Sequence, residues 1–313
     1  MRTRMRKTGK TVYEEITERI IESLEAGVAP WVRPWGSARL GQHRNGVTDR
    51  PYSGINIMLL NLVAMKNGFA DPRWLTFKNA EQLGGHVRKG EKGVGIVFWK
   101  IKFVGEHITD DADNEDDRNV VPLLRMFTVF NVEQCENIEL PPLEVSAGIT
   151  DVENPDAEQI LALPDLKHGG NEAYYSKTGD FIVMPDRESF DNLNFYYSTF
   201  YHEIVHWSGH PSRLSREFGM RFGDQNYAFE ELIAEIGSAF LGSATGIPFE
   251  NMRHPEYVGS WLQILSKDTR AIFTAAAKAQ VAADFVLDKK YKLRINIKQI
   301  YCCDLKIPNS PRD

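Results

Sequence analysis

The residues of this chain best suited to chemistry are His202, Glu203 and His206 in the string HEIVH. On a helix, residues four apart stand on one face, so two imidazoles can present nitrogens to one ion while the intervening glutamate reaches a water bound to it. Such an ion lowers the pKa of its water, and the glutamate takes the released proton, which is the chemistry of metal-assisted hydrolysis. A catalytic zinc takes three protein ligands and keeps the fourth position open, so a third ligand must come from elsewhere in the chain.

A continuation H-x-x-G-x-x-H fails, because Gly209 fits but Ser212 occupies the last position. His210 would share the face of His206 only if the helix ran on through Gly209. The next helical segment offers Glu231 and Glu235, four apart in EELIAE. That spacing resembles gluzincins such as thermolysin, where the first carboxylate binds metal and the second orients a ligating histidine. Glu231 is therefore the expected third ligand and Glu235 its supporting residue, with His210 as the alternative. The expected cofactor is one divalent metal, zinc first and manganese second. Tyr201, His210 and Tyr227 are candidates to donate a hydrogen bond to a developing oxyanion.

These residues need helices to hold them. NFYYSTFYHEIVHWSG, YAFEELIAEIGSAFLGSATG, PEYVGSWLQILSKD and DTRAIFTAAAKAQVAADFVLD all carry apolar residues at spacings of three and four. Before them, PDAEQILALP reads as a helix and AYYSKTGDFIVMP as two short strands about a turn at Lys177 to Gly179. The amino-terminal part differs. Val12, Ile16, Ile20 and Leu24 trace an amphipathic helix that stops at Gly27, a second helix runs from a Ser53 cap to Gly68, and Thr76 caps a short third. VRKGEKGVGIVFWKIKFV and VPLLRMFTVFNV read as paired strands, joined by the acidic ITDDADNEDDRN, expected as a loop. The proline-bearing IELPPLEVSAGITDVENP is the expected linker. The fold class expected is α+β in two domains: residues 1–145, and a mainly helical 146–313 with a small sheet.

Charge divides the same way. Residues 1–100 carry 17 Lys and Arg against 9 Asp and Glu, whereas residues 101–313 carry 20 against 34. A basic segment suits a polyanion. Within it Trp31, Arg33, Trp35, Arg44, Arg50, Tyr52, Trp74, Lys78, Lys89 and Lys92 interleave rings with cations, the combination that tracks the phosphates and stacks the bases of single-stranded DNA; Arg88, Trp99 and Lys100 extend the pattern. No apolar run reaches the roughly 18 residues of a membrane span, the basic start leads into no apolar block, and the three cysteines form no disulfide or zinc-ribbon pattern. A bacterial cytoplasmic location, without a membrane partner, is the expectation.

Longer strings carry a family resemblance. RPYSGINIMLL at 50–60, DPRWLTFKNAEQLGGHVRKGEKG at 71–93, YHEIVHWSGHPSRLSR at 201–216 and EELIAEIGSAFL at 230–241 resemble the ArdC family of plasmid antirestriction proteins. The resemblance implies an N-terminal domain that binds single-stranded DNA and a C-terminal zincin-like metallopeptidase domain. It also implies a role in shielding incoming plasmid DNA from host restriction during conjugation, a possible peptide substrate, and an N-terminal part shared with some plasmid primases.

Overall fold

A computed structural model of the chain describes residues 9–32, 41–103, 120–143, 153–217, 225–248 and 255–303. The chain forms two compact units. One comprises residues 42–144; the other joins residues 1–41 to residues 145–313. The first 41 residues, grouped in the expected division with residues 42–145, thus cluster with residues 145–313. The second unit boundary falls in the proline-bearing segment expected as a linker.

The unit of residues 42–144 contains β1 (Arg44–Asn45), α2 (Ile55–Asn67), β2 (Arg73–Leu75), α3 (Phe77–Gln82), β3 (His86–Val87), β4 (Val94–Phe103), β5 (Val120–Asn131) and β6 (Cys135–Glu136). Helix α2 begins one residue later than a Ser53 cap would place it: Gly54 occupies the cap position at φ 57°, and no side chain caps the helix. Thr76 caps α3 in a reciprocal box with Asn79. The expected hairpin is present as β4 against β5, antiparallel, with Val94 opposite Val129 and Phe103 opposite Val120. The acidic stretch between them lies outside the described residues. The sheet order is β1-β2-β5-β4. Asn56 on α2 closes the open side of β4, its amide donating to Val97 O and accepting from Val97 N, both at 2.8 Å. This satisfies backbone groups that an end strand would otherwise expose.

The other unit opens with α1 (Val12–Glu25), capped by Thr11 and Glu14 acting reciprocally. Of the four residues that the helical spacing singles out, Ile16, Ile20 and Leu24 are buried and Val12 is half-buried. The chain returns to this unit through α4 (Pro155–Leu161), β7 (Asp165–His168), β8 (Tyr174–Ser176) and β9 (Phe181–Met184), and then α5 (Leu193–Ser208), α6 (Gln225–Thr245), α7 (Val258–Lys267) and α8 (Ala271–Cys303). Strand β9 lies centrally, parallel to β7 and antiparallel to β8. The hairpin of β8 and β9 matches the sequence pattern; β7, a polar DLKH, carries no alternation to announce it. Helix α1 docks at the carboxyl-terminal helices: Thr17 Oγ1 donates to Thr269 O at 2.7 Å, the Tyr13 and Phe273 rings meet at 4.8 Å, and those of Trp31 and Trp261 at 5.7 Å. Helices α5 and α6 form the centre, with nearly every residue from Tyr196 to Ser208 and from Glu230 to Leu241 buried. Gly237 permits this close approach, since a Cβ there would stand 2.9 Å from a Val205 methyl. Among the described residues no helix is long and apolar enough to cross a membrane.

Candidate metal centre

Helix α5 positions the HEIVH residues. Asn192 caps its start by accepting from Phe195 N at 2.8 Å, and the helix ends at Ser208, with Gly209 donating to His206 O. His210 therefore leaves the helical face of His206. Its Nδ1 faces Ser212 Oγ at 2.7 Å and Asp180 at 3.9 Å.

His202 and His206 turn Nε2 toward each other at 3.1 Å. Glu231, brought in by α6, sets Oε2 3.2 Å from His202 Nε2 and Oε1 3.5 Å from His206 Nε2. Among the described residues these three form the one group of donors that could hold a metal ion, and all three are buried. Four ligands at about 2.0–2.1 Å around a tetrahedral ion are separated by roughly 3.3–3.4 Å. The separation of the two imidazole nitrogens and the distances to one or other Glu231 oxygen lie near that value, and one ligand atom from each residue falls within 4.8 Å of the others, so two imidazoles and one carboxylate suit a divalent cation among the described residues.

The electrostatics agree with a cation in this place. Burial alone would push His206 toward its neutral form, but the Glu231 and Glu230 carboxylates outweigh it and raise its pKa to about 10. Burial opposes ionisation of Glu231, yet His206 and His202 overcome it and hold the carboxyl well below the usual range. Positive charge is favoured between these side chains whether a proton or a metal supplies it.

Glu203 is buried and lines the same cleft, about 310 Å³ in volume, together with Tyr174, Tyr175, Lys177, Tyr227 and Tyr257. Tyr227 is raised by burial and by the Glu231 charge, and Tyr257 by burial and Glu231, so both phenols stay protonated donors at neutral pH. Of the oxyanion candidates, Tyr227 alone lies in the cleft. Tyr201 is fully buried and donates to Thr245 Oγ1 at 3.0 Å.

Glu235, expected behind a ligating histidine, is fully buried one turn beyond Glu231. The carboxylate at His206 Nδ1 is Glu230, at 3.3 Å. Consecutive helix positions point about 100° apart, so Glu230 and Glu231 take different sides of one ring. The adjacent glutamates were the sequence signal for this arrangement.

The residues expected to contact DNA divide sharply. Arg33 and Trp35 lie outside the described residues. Trp31 is 2% exposed against Trp261, and Tyr52 is 8% exposed. Trp74 has no exposed surface and donates from Nε1 to His43 Nδ1 at 3.0 Å, while His43 Nε2 meets Asn61 Oδ1 at 3.0 Å. Stacking by these three rings is therefore corrected to core packing, because their faces are already covered. Arg44 is half-buried and pairs with Asp49 at 3.3 Å. Arg50, Lys78, Lys89 and Lys92 are exposed. Among the described residues of this unit the exposed phenylalanine rings are Phe77, Phe98 and Phe127, which the sequence pattern did not single out; Phe98 and Phe127 meet edge to face at 5.5 Å.

Residues 10–130 match the N-terminal domain of the anti-restriction factor ArdC, and residues 155–278 match the zincin-like metallopeptidases. The chain is 36% identical to the antirestriction ArdC protein of plasmid R388. It covers 99% of the metal-free crystal structure with a TM-score of 0.75 and 98% of the Mn(II)-bound structure with a TM-score of 0.73, in each case over 90% of this chain. It is 35% identical to protein y4eC of Sinorhizobium fredii (strain NBRC 101917 / NGR234), over 90% of this chain and 92% of that protein. Two Escherichia coli proteins named DNA primase TraC are 41% and 38% identical over 90% and 89% of this chain, which spans only 28% and 20% of their lengths.

Proposed function

Because the chain belongs to the ArdC family, which joins the ArdC N-terminal domain to a zincin-like metallopeptidase domain, we propose that it is an antirestriction protein that binds single-stranded DNA and hydrolyses a peptide bond at a divalent-metal centre. His202, His206 and Glu231 are the ligands in this reading and Glu203 is the general base. The observation that carries it is the convergence of three buried donor residues, with ligand atoms within 4.8 Å of one another, beside a cleft. A purely structural site would close all four positions with protein.

Bound there, the cation would polarise the scissile carbonyl and acidify a water. Glu203 takes the water's proton and returns it to the leaving amine. Tyr227 and Tyr257 offer phenolic protons on the cleft wall, suited to a developing oxyanion. Strand β8 ends its sheet, and Tyr174, Tyr175 and Lys177, on or just beyond it, line the cleft. An extended peptide can add to such an edge. Zinc and manganese both suit two imidazoles and a carboxylate; the Mn(II)-bound R388 relative makes manganese the first alternative to zinc.

The DNA reading rests on the match to the ArdC N-terminal domain and on the exposed Arg50, Lys78, Lys89 and Lys92. Its biological setting is protection of incoming plasmid DNA during conjugation. The primase relatives contain this chain's counterpart as a minor part of longer proteins, which fits a module that works on DNA.

Glu203→Gln separates chemistry from binding. It is expected to retain zinc, to lose peptide hydrolysis by about 100-fold or more, and to abolish plasmid protection in a conjugation assay. Full protection by this variant would leave DNA occupancy as the working activity and remove hydrolysis from the account.

A further inference from the structure

The loop that follows α5 folds back on itself. Leu214 N donates to Ser208 O, Arg216 N to Gly209 O, and Ser215 adopts φ 49° to turn the chain inward. The turn delivers Arg216 into the interior, where its residual exposure is 9% and that of Glu230 is 3%. The guanidinium then satisfies four acceptors. Nε and Nη2 donate to the Glu230 carboxylate at 2.8–3.2 Å, Nη1 donates to Ser208 Oγ at 2.9 Å, and Nη2 also donates to Val205 O. Val205 and Ser208 flank His206, and Glu230 is the acceptor for His206 Nδ1 at 3.3 Å.

We infer that Arg216 and Glu230 are positioning residues for His206: together they fix the ring plane and keep the proton on Nδ1, so that Nε2 is presented to the cation. This rests on the metal-centre reading above. The chemistry is that of a carboxylate behind a ligating histidine, with an arginine added that orients the carboxylate through a planar pair of donors. Glu230 has two oxygens and Arg216 occupies both, which leaves Oε1 directed along the line shared with His206. Arg216 also holds the carbonyl one residue before the ligand, so the backbone and the ring of His206 are set by one side chain.

The test compares two double variants of the full-length chain, Arg216→Met/Glu230→Gln and Arg216→Met/Glu230→Leu. Neither retains a buried charge from this pair, and removal of both members of such a pair is tolerated far better than removal of one. They differ only in whether an acceptor remains at position 230. Zinc affinity is measured by competition with a chelator, and thermal melts check folding. The glutamine variant is expected to bind zinc 10–100-fold more tightly than the leucine variant at matched Tm. Equal affinities would overturn the inference and leave the pair as a packing device.

A wild-type measurement covers failure of either variant to fold. In the zinc-loaded protein, nitrogen NMR of the histidine side chains is expected to show His206 with Nδ1 protonated and Nε2 bound to metal. Metal on Nδ1 overturns the inference. Failure of the wild-type chain to bind zinc or manganese at all would instead remove the metal-centre reading, and this inference with it.

Discussion

At the scale of single residues, the side chains of the metal centre govern how stability responds to pH. His206 is raised to about 10 in the folded chain by Glu231 and Glu230, against 6.5 for a free histidine. A group raised in this way favours the folded state fully below its unfolded pKa and loses that contribution as pH rises through its folded pKa. With metal stripped by a chelator, the Tm is therefore expected to fall as pH rises from about 6.5 to about 10. Zinc should flatten that limb, since it replaces the proton, and a melt series with and without zinc reads the difference directly. A chelated protein with constant Tm over this range would contradict the assigned environment of His206. His202, Glu203 and His206 were legible because HExxH has meaning only at helical spacing, and the helix was visible in its apolar neighbours. Glu230 and Arg216 were less so, because helix phase alone does not tell which of three nearby glutamates backs a histidine. The tryptophans failed for a related reason: an indole among cations has the same composition whether it stacks on a base or fills a core, and only the neighbours of Trp74 in three dimensions decide.

At the scale of elements, the cluster of candidate donors depends on two helices that each bring part of it. Helix α5 carries both histidines and α6 carries Glu231, so their separation sets the ligand spacing. Gly237 lets them approach, with Val205 methyl carbons 2.9 and 3.1 Å from where a Cβ would stand. Gly237→Val should cost about 1–3 kcal/mol through overpacking and weaken zinc binding as well. Lower Tm with unchanged zinc affinity would mean that the centre tolerates a shift of α6. The helices themselves follow from apolar spacing, and the β4–β5 and β8–β9 hairpins from alternation and glycine turns. Strand β7 was hidden because a short strand that stays mostly exposed needs no apolar alternation, and its existence is fixed by the parallel pairing with β9.

At the scale of the whole chain, the two-part division was readable from charge and proline content, but the membership of α1 was not. The match to the ArdC N-terminal domain begins at residue 10, yet α1 packs with the unit that holds the metal centre. Deleting residues 1–41 is expected to destabilise that unit, since Ile16, Ile20 and Leu24 would each forfeit about 1.5–3 kcal/mol of burial. Replacing residues 42–144 by a short flexible linker should leave zinc binding within a few-fold of wild type. The reverse outcome, with α1 dispensable and the 42–144 unit required, would refute this assignment. For the DNA reading, each phosphate contact on a single strand contributes about 0.7 to the slope of log K against log salt. Neutralising Arg50, Lys78, Lys89 and Lys92 together should lower the slope by about 3 if all four contact phosphate. An unchanged slope would move the contact surface elsewhere on the protein.

The return of the chain to α1 also has a consequence for synthesis. Helix α1 leaves the ribosome well before Thr269 and Phe273, on which it docks and which emerge more than two hundred residues later. At about 5–20 residues per second the delay is on the order of ten to fifty seconds. The 42–144 unit is complete within that window, so it is expected to fold first while the apolar stripe of α1 remains uncovered. Nascent α1 is then a natural client for a chaperone, and the donors His202, His206 and Glu231 can come together only once both α5 and α6 have been made.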